Sequence, residues 1–169
     1  MLPPLANGPA APQDAEFFLI AERGILEPQA VLLCQSIRRF SGAYSKSAIT
    51  AISPRRNCRP CRETSRTFAG LDVEYLESDL ESPCPTYGTS FRILAAARRE
   101  QQSRAPILIQ LDSDTMFLRE PEFCLAGVDA GARPVDVKGM CTEGAGDPFD
   151  PYWAASAKCS ASTTKVFLG

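Results

Sequence analysis

The sequence predicts an α/β domain, a mainly parallel sheet flanked by helices. Three observations carry that prediction. Apolar segments of strand length alternate with segments whose apolar residues recur at helical spacing. Residues 107–111 are almost continuously apolar, apart from Gln110, as in a strand covered on both faces. The 169 residues suffice for one domain with a substantial core and are too few for two comfortable ones.

Residues 1–15, rich in Pro, Ala and Gly, read as a disordered lead-in. The first strand is expected at residues 16–21, followed by a turn at Arg23-Gly24 and by Pro28 as first helical residue. Ala30, Leu33, Cys34, Ile37 and Phe40 then recur at helical spacing, ending near Ser41-Gly42. Cys34, on that apolar face, reads as a small core residue. Residues 48–53 form a second strand, stopped by Pro54. A short helix is expected at 62–69, closed by Gly70, and a third strand at 73–76. A loop rich in Ser, Pro and acid (77–85) leads to a helix over 90–102, begun by Tyr87-Gly88. Its Phe91, Leu94 and Ala95 face inward, and Arg98, Arg99 and Glu100 face water. Pro106 opens the fourth strand, 107–111, whose apolar run marks it as the central one. Beyond Leu118 the pattern weakens to a strand at 130–137, a Gly- and Pro-punctuated loop at 142–153 and an irregular tail at 154–169. No internal repeat is visible.

Composition narrows the function classes. A 44% apolar and 22% charged chain has an ordinary globular balance, and a net charge of -2 argues against a nucleic-acid partner. One local basic patch, Arg55, Arg56, Arg59, Arg62 and Arg66, stands apart; it reads as a solvated loop or as a phosphate or acceptor contact. No apolar run approaches the length of a membrane span. The N-terminus lacks the pattern of a signal peptide, so a cytoplasmic location is expected. The seven cysteines then read as reduced thiols. The absence of histidine removes Ser-His triads, Cys-His dyads and HExxH zinc sites.

Asp112-Ser113-Asp114 follows the fourth strand directly. Ligands of open α/β sheets sit outside the carboxyl ends of strands, and side chains two apart point the same way in extended backbone. Two carboxylates so placed repel unless a cation, a donor or a shared proton lies between them. They form half of an oxygen shell for Mn²⁺ or Mg²⁺, which keeps its other positions for water and phosphate oxygens.

An aliphatic run ending in Asp-x-Asp-Thr, with Met116-Phe117-Leu118 and Pro121 after it, resembles the DxD region of nucleotide-sugar glycosyltransferases. It is most similar to the GT-A architecture, with a resemblance reaching from about Phe17 to about Trp153. The implied domain is a GT-A-like nucleotide-diphospho-sugar transferase over residues 16–153, its C-terminal part incomplete. The resemblance implies that Asp114 binds the divalent cation and that Asp112 binds the cation or the ribose, with Ser113 between them. The end of the first strand (Ala21, Glu22, Arg23, Gly24) would form part of the nucleotide pocket. Arg92, on the preceding helix, would neutralise phosphate or brace a carboxylate. The implied partners are a nucleotide-diphosphate sugar and an unknown acceptor, and Asp136 is the candidate base if the reaction inverts. The type often draws a further metal ligand, frequently histidine, from its C-terminal half, and this chain has none.

Other readings stay open. The aspartates also suit a solvated strand-end turn in which Asp114 caps the next segment. A haloacid-dehalogenase-like phosphatase uses Asp-x-Asp-x-Thr, but here Thr115 comes directly after the second Asp. Cys58-Arg59-Pro60-Cys61 suits a thiol oxidoreductase, a partial zinc site or two incidental thiols. Asp147 to Trp153 sets aromatics in an acidic loop, for sugar stacking or for packing. A non-catalytic nucleotide-binding or interaction domain is the rival from another class.

Overall fold

A computed structural model describes residues 15–123 and 131. The expected lead-in, the strand at 130–137 with Asp136, the loop at 142–153 and the tail at 154–169 lie outside the described residues, save Ala15 and Gly131.

The elements alternate: β1 (Ala15–Ile20), α1 (Leu26–Phe40), β2 (Ala48–Ser53), α2 (Arg62–Gly70), β3 (Glu74–Glu77), α3 (Gly88–Gln102) and β4 (Ile107–Leu111). Short 3₁₀ turns at Gly42–Lys46 and Arg56–Cys58 join them. The four strands form one wholly parallel sheet in the order β3-β2-β1-β4. In its register Phe18 lies between Thr50 and Gln110.

The first two crossovers step the chain from β1 to β2 to β3. The third steps back over both to reach the far side of β1. Right-handed crossovers then send α1 and α2 to one face and α3 to the other. The packing agrees with that division. Phe17, Leu19, Ala21, Ile49 and Ala51 share one core with Leu33, Cys34 and Ile37 of α1 and Phe68 of α2. Burial pushes the Cys34 thiol up to about 12, so it stays a neutral core side chain. On the opposite face Glu16, which accepts from the Thr50 hydroxyl, also accepts from Arg99 of α3.

Four expectations need correction. Among the described residues β4 is an edge strand, half-buried along its length, and β1 and β2 are the central ones. All of these strands are apolar, so composition ranks none of them; the crossovers set their order. Arg99 does not face water: its side chain is 13% exposed and pairs with Glu16 at 2.5 Å and Glu74 at 3.2 Å. It lies four and eight residues beyond Ala95 and Phe91, on the stripe that packs against the sheet. Phe40, the last residue of α1, is exposed, with the Arg39 guanidinium over its ring. Pro28 is the third residue of α1, not the first, still within the turn whose N–H groups have no helical partner.

The strand ends are held by side chains reaching between elements. Arg38 of α1 donates to the carbonyls of Ser45, Ser47, Leu71 and Asp72, joining the end of α1 to the entry of β2 and to the α2–β3 turn. Ser36 of α1 accepts from the Phe117 N–H at 3.0 Å, while the Phe117 ring packs edge-on against Phe17. The chain after β4 is therefore anchored again within six residues of leaving the sheet.

Candidate functional site

The reversal of direction between β1 and β4 is a topological switch point, where the loops leaving the two strands diverge and open a crevice. A cleft of about 280 Å³ lies there. Ile20, Glu22 and Leu26 line it from β1 and the start of α1, Pro54 and Arg55 from the end of β2. Gly88, Thr89, Phe91 and Arg92 come from the start of α3, and Leu111, Asp112 and Ser113 from the end of β4. A larger hollow of about 450 Å³ is walled by residues 116–122 alone, without polar groups converging from several elements.

Two guanidinium–carboxylate pairs furnish the cleft. Arg55 donates from Nε at 2.8 Å and from Nη2 at 2.5 Å to the two oxygens of Glu22, a bidentate fork. Its guanidinium also lies 5.3 Å from the centre of the Phe91 ring. Its hydrogen bonds to Glu22 raise the Arg55 pKa further and hold it cationic. Among the described residues its Nη1 has no partner. The Glu22 side chain is only 7% exposed. Removing Arg55 would strand that carboxylate at a cost of about 2–3 kcal/mol, below a fully buried pair because Arg55 itself keeps 37% exposure. Arg92 forms an ion pair through Nη2 with Asp112, and these side chains are 33% and 44% exposed. A pair so accessible is worth about 0–1 kcal/mol.

The structure thus brings Glu22, Arg92, Asp112 and Ser113 to one cleft. Arg23 is exposed outside it, its backbone N–H donating to the Cys58 carbonyl at 2.7 Å. Asp114 is exposed and does not line the cleft. The extended backbone expected through the aspartates is replaced by a turn that the Thr115 N–H closes on the Asp112 carbonyl at 3.0 Å. The two carboxylates therefore do not project in parallel from a strand. Asp-Ser-Asp is itself turn-forming chemistry, a signal already present in the residues.

Among the described residues no three His, Cys, Asp or Glu side chains cluster tightly enough to cage a metal. The donor set nonetheless suits a hard cation that takes one or two carboxylates and completes its shell with water and phosphate. Asp112 has one oxygen turned to Arg92, and Asp114 has no ion-pair partner among the described residues.

Around Cys58 and Cys61 the charges are already matched. Arg56 pairs with Asp79, and Arg59 with Glu77 and Asp79. Glu27 accepts from the Cys61 N–H at 2.9 Å and the Thr64 hydroxyl at 2.7 Å. Burial would raise the Glu27 pKa, but these hydrogen bonds, with one from Gly24, bring it below the usual range. A carboxylate thus occupies the amino end of α2, where a redox thiolate would need that helix's support.

An all-parallel α/β sheet flanked by helices, with a polar cleft at its switch point, is compatible with a Rossmann-like architecture, a class whose ligands sit outside the carboxyl ends of the strands. The chain belongs to the Rhodobacterales glycosyltransferase domain family, whose profile matches residues 17–157. Neither curated proteins nor solved structures gave a match. The match begins two residues into β1, takes in β2, β3 and β4 whole and covers every candidate residue, Asp136 included.

Sequence reasoning does not single out Arg55, Phe91, Gly88 and Thr89 as site residues. Arg55 lies inside a run of arginines that look alike on paper, and its partner Glu22 is 33 residues away. Only the parallel pairing of β1 with β2 makes them neighbours.

Proposed function

We propose that this domain is a metal-dependent glycosyltransferase of GT-A type. It binds a nucleotide-diphosphate sugar in the switch-point cleft and transfers the sugar to an acceptor hydroxyl. The observation that carries the proposal is the joining of Asp112, Arg92 and Arg55 at the β1/β4 crevice in a chain of a glycosyltransferase family.

In this reading Asp112 and Asp114 would hold Mn²⁺ or Mg²⁺, and the cation would supply Lewis-acid stabilisation of a diphosphate leaving group. The chain's own groups act beside it. Arg92 offers a guanidinium to the diphosphate, and the first turn of α3, which has no acidic residue and no side-chain cap, presents backbone N–H groups at the same wall. Glu22 holds Arg55 in one orientation, so that its guanidinium needs no further ordering to meet the nucleotide. Ser113 supplies a hydroxyl at the lip. If the reaction inverts, Asp136 takes the acceptor proton.

Thermal shift with UDP, GDP and their sugars, with and without Mn²⁺, tests the reading. Metal-dependent stabilisation by one nucleotide is expected, with loss of the metal-dependent part in Asp112→Asn and Asp114→Ala. No metal-dependent shift, or one unchanged in both variants, removes the site. Stabilisation without sugar hydrolysis or transfer supports a non-catalytic nucleotide-binding domain instead.

A further inference from the structure

The cleft holds two cations of different kinds. Arg55 is fixed, with Nε and Nη2 both engaged by Glu22 and its plane against Phe91. Arg92 is held among the described residues by a single, accessible ion pair to Asp112. Two guanidiniums and two carboxylates also leave the lining without net charge. A free cation approaching Asp112 is opposed by Arg92, and a free diphosphate approaching Arg92 is opposed by Asp112.

We propose that Arg92 is an exchangeable counter-ion: it neutralises Asp112 while the cleft holds no donor, and moves to the donor's diphosphate when a divalent cation takes its place. The inference rests on the nucleotide-sugar reading above and adds coupling to it. Arg92 released by a cation alone has no new partner, and Arg92 drawn off by a diphosphate alone leaves Asp112 unneutralised beside it. When both ligands arrive, each supplies what the other displaces. Metal and nucleotide therefore tighten one another's binding, and by the same factor. The exchange requires only rotation of a long side chain on the second turn of α3, while Arg99 and Ser103 keep that helix fixed on Glu16.

The test is Mn²⁺ affinity by electron paramagnetic resonance, alone and with UDP or GDP, in the wild type, Arg92→Met, Arg92→Lys and Asp112→Asn. Mn²⁺ alone is expected to bind the wild type weakly, and a nucleotide to tighten it by about tenfold or more. Arg92→Met should bind Mn²⁺ alone about fivefold or more tightly than the wild type, with a correspondingly smaller nucleotide effect. Arg92→Lys, which keeps the charge, should stay close to the wild type, and Asp112→Asn should lose the metal. The exchange is overturned if Arg92→Met binds Mn²⁺ no better than the wild type, or if its nucleotide effect is undiminished. A wild type that binds Mn²⁺ yet ignores both nucleotides sinks the nucleotide-sugar reading and the transfer to diphosphate with it. The metal-only comparison then still reports separately on the Arg92–Asp112 competition. Circular dichroism of each variant secures that the proteins compared are folded.

Discussion

Glu16 is the second residue of strand β1, with a side chain 4% exposed, a place where an unpartnered carboxylate would not stay ionised. Burial does push its pKa up. Hydrogen bonds from Arg99, Ser103 and Thr50, with the charge of Arg99, outweigh burial and bring it below the ordinary value of 4.5. A depressed folded-state pKa stabilises the protein above the unfolded value, and the benefit is lost as pH falls through the folded one. Arg99→Met is expected to cost about 3–5 kcal/mol at neutral pH, because it strands a buried charge. In urea melts run between pH 7 and pH 3 that difference should shrink below about 4.5, where the wild type also loses the interaction. A difference that does not change with pH would mean Arg99 acts through packing alone. Residue type misleads at this position: an arginine on a helix argues for solvent, and only its spacing from Phe91 and Ala95 argues for the interior.

At the scale of elements, each strand and helix is legible from periodicity to within one or two residues at most ends, because burial on a face imposes a period. What periodicity does not encode is which strand neighbours which. The run at β4 reads as central and lies at the edge of the described sheet, whereas β1 and β2, no more apolar, lie inside it. The junction after α1 shows the same division between local and distant information. Gly42 ends the helix with φ at +60°, a conformation glycine adopts without strain, and this much the residue type announces. That the Glu120 carboxylate fills the space beside it, accepting from the Ala43 N–H at 3.2 Å, needs the fold. Gly42→Ala should therefore destabilise by about 1–3 kcal/mol from backbone strain alone, with displacement of Glu120 in addition. Gly70→Ala, with no atom beyond its chain neighbours and its own helix backbone within 4 Å of the new carbon, is the control and should stay within about 0.5 kcal/mol in the same denaturation series.

For the whole molecule, the candidate site is legible in part and for a physical reason. Asp112 and Ser113 stand out locally because an apolar strand delivers them to a strand end, and Glu22 because it follows another. The Glu22–Arg55 fork and the Arg92–Asp112 pair arise from sheet order and from the crossing of α3, which no local pattern contains. The same crossing makes the two ends of the described sheet unlike. Helix α3, fifteen residues and so about 22 Å long, is tied at the amino end of the sheet by the buried Glu16–Arg99 pair and at the carboxyl end by the accessible Arg92–Asp112 pair. Ions in solution screen the second far more than the first. Raising salt should hence loosen the helix from one end only. Amide hydrogen exchange is expected to quicken over residues 88–92 between low and about 0.5 M salt and to stay unchanged over residues 96–102, whereas uniform acceleration would show that packing, not charge, fixes both ends. Dissolved salt thus becomes a dial on the cleft wall that leaves the far end of the sheet untouched.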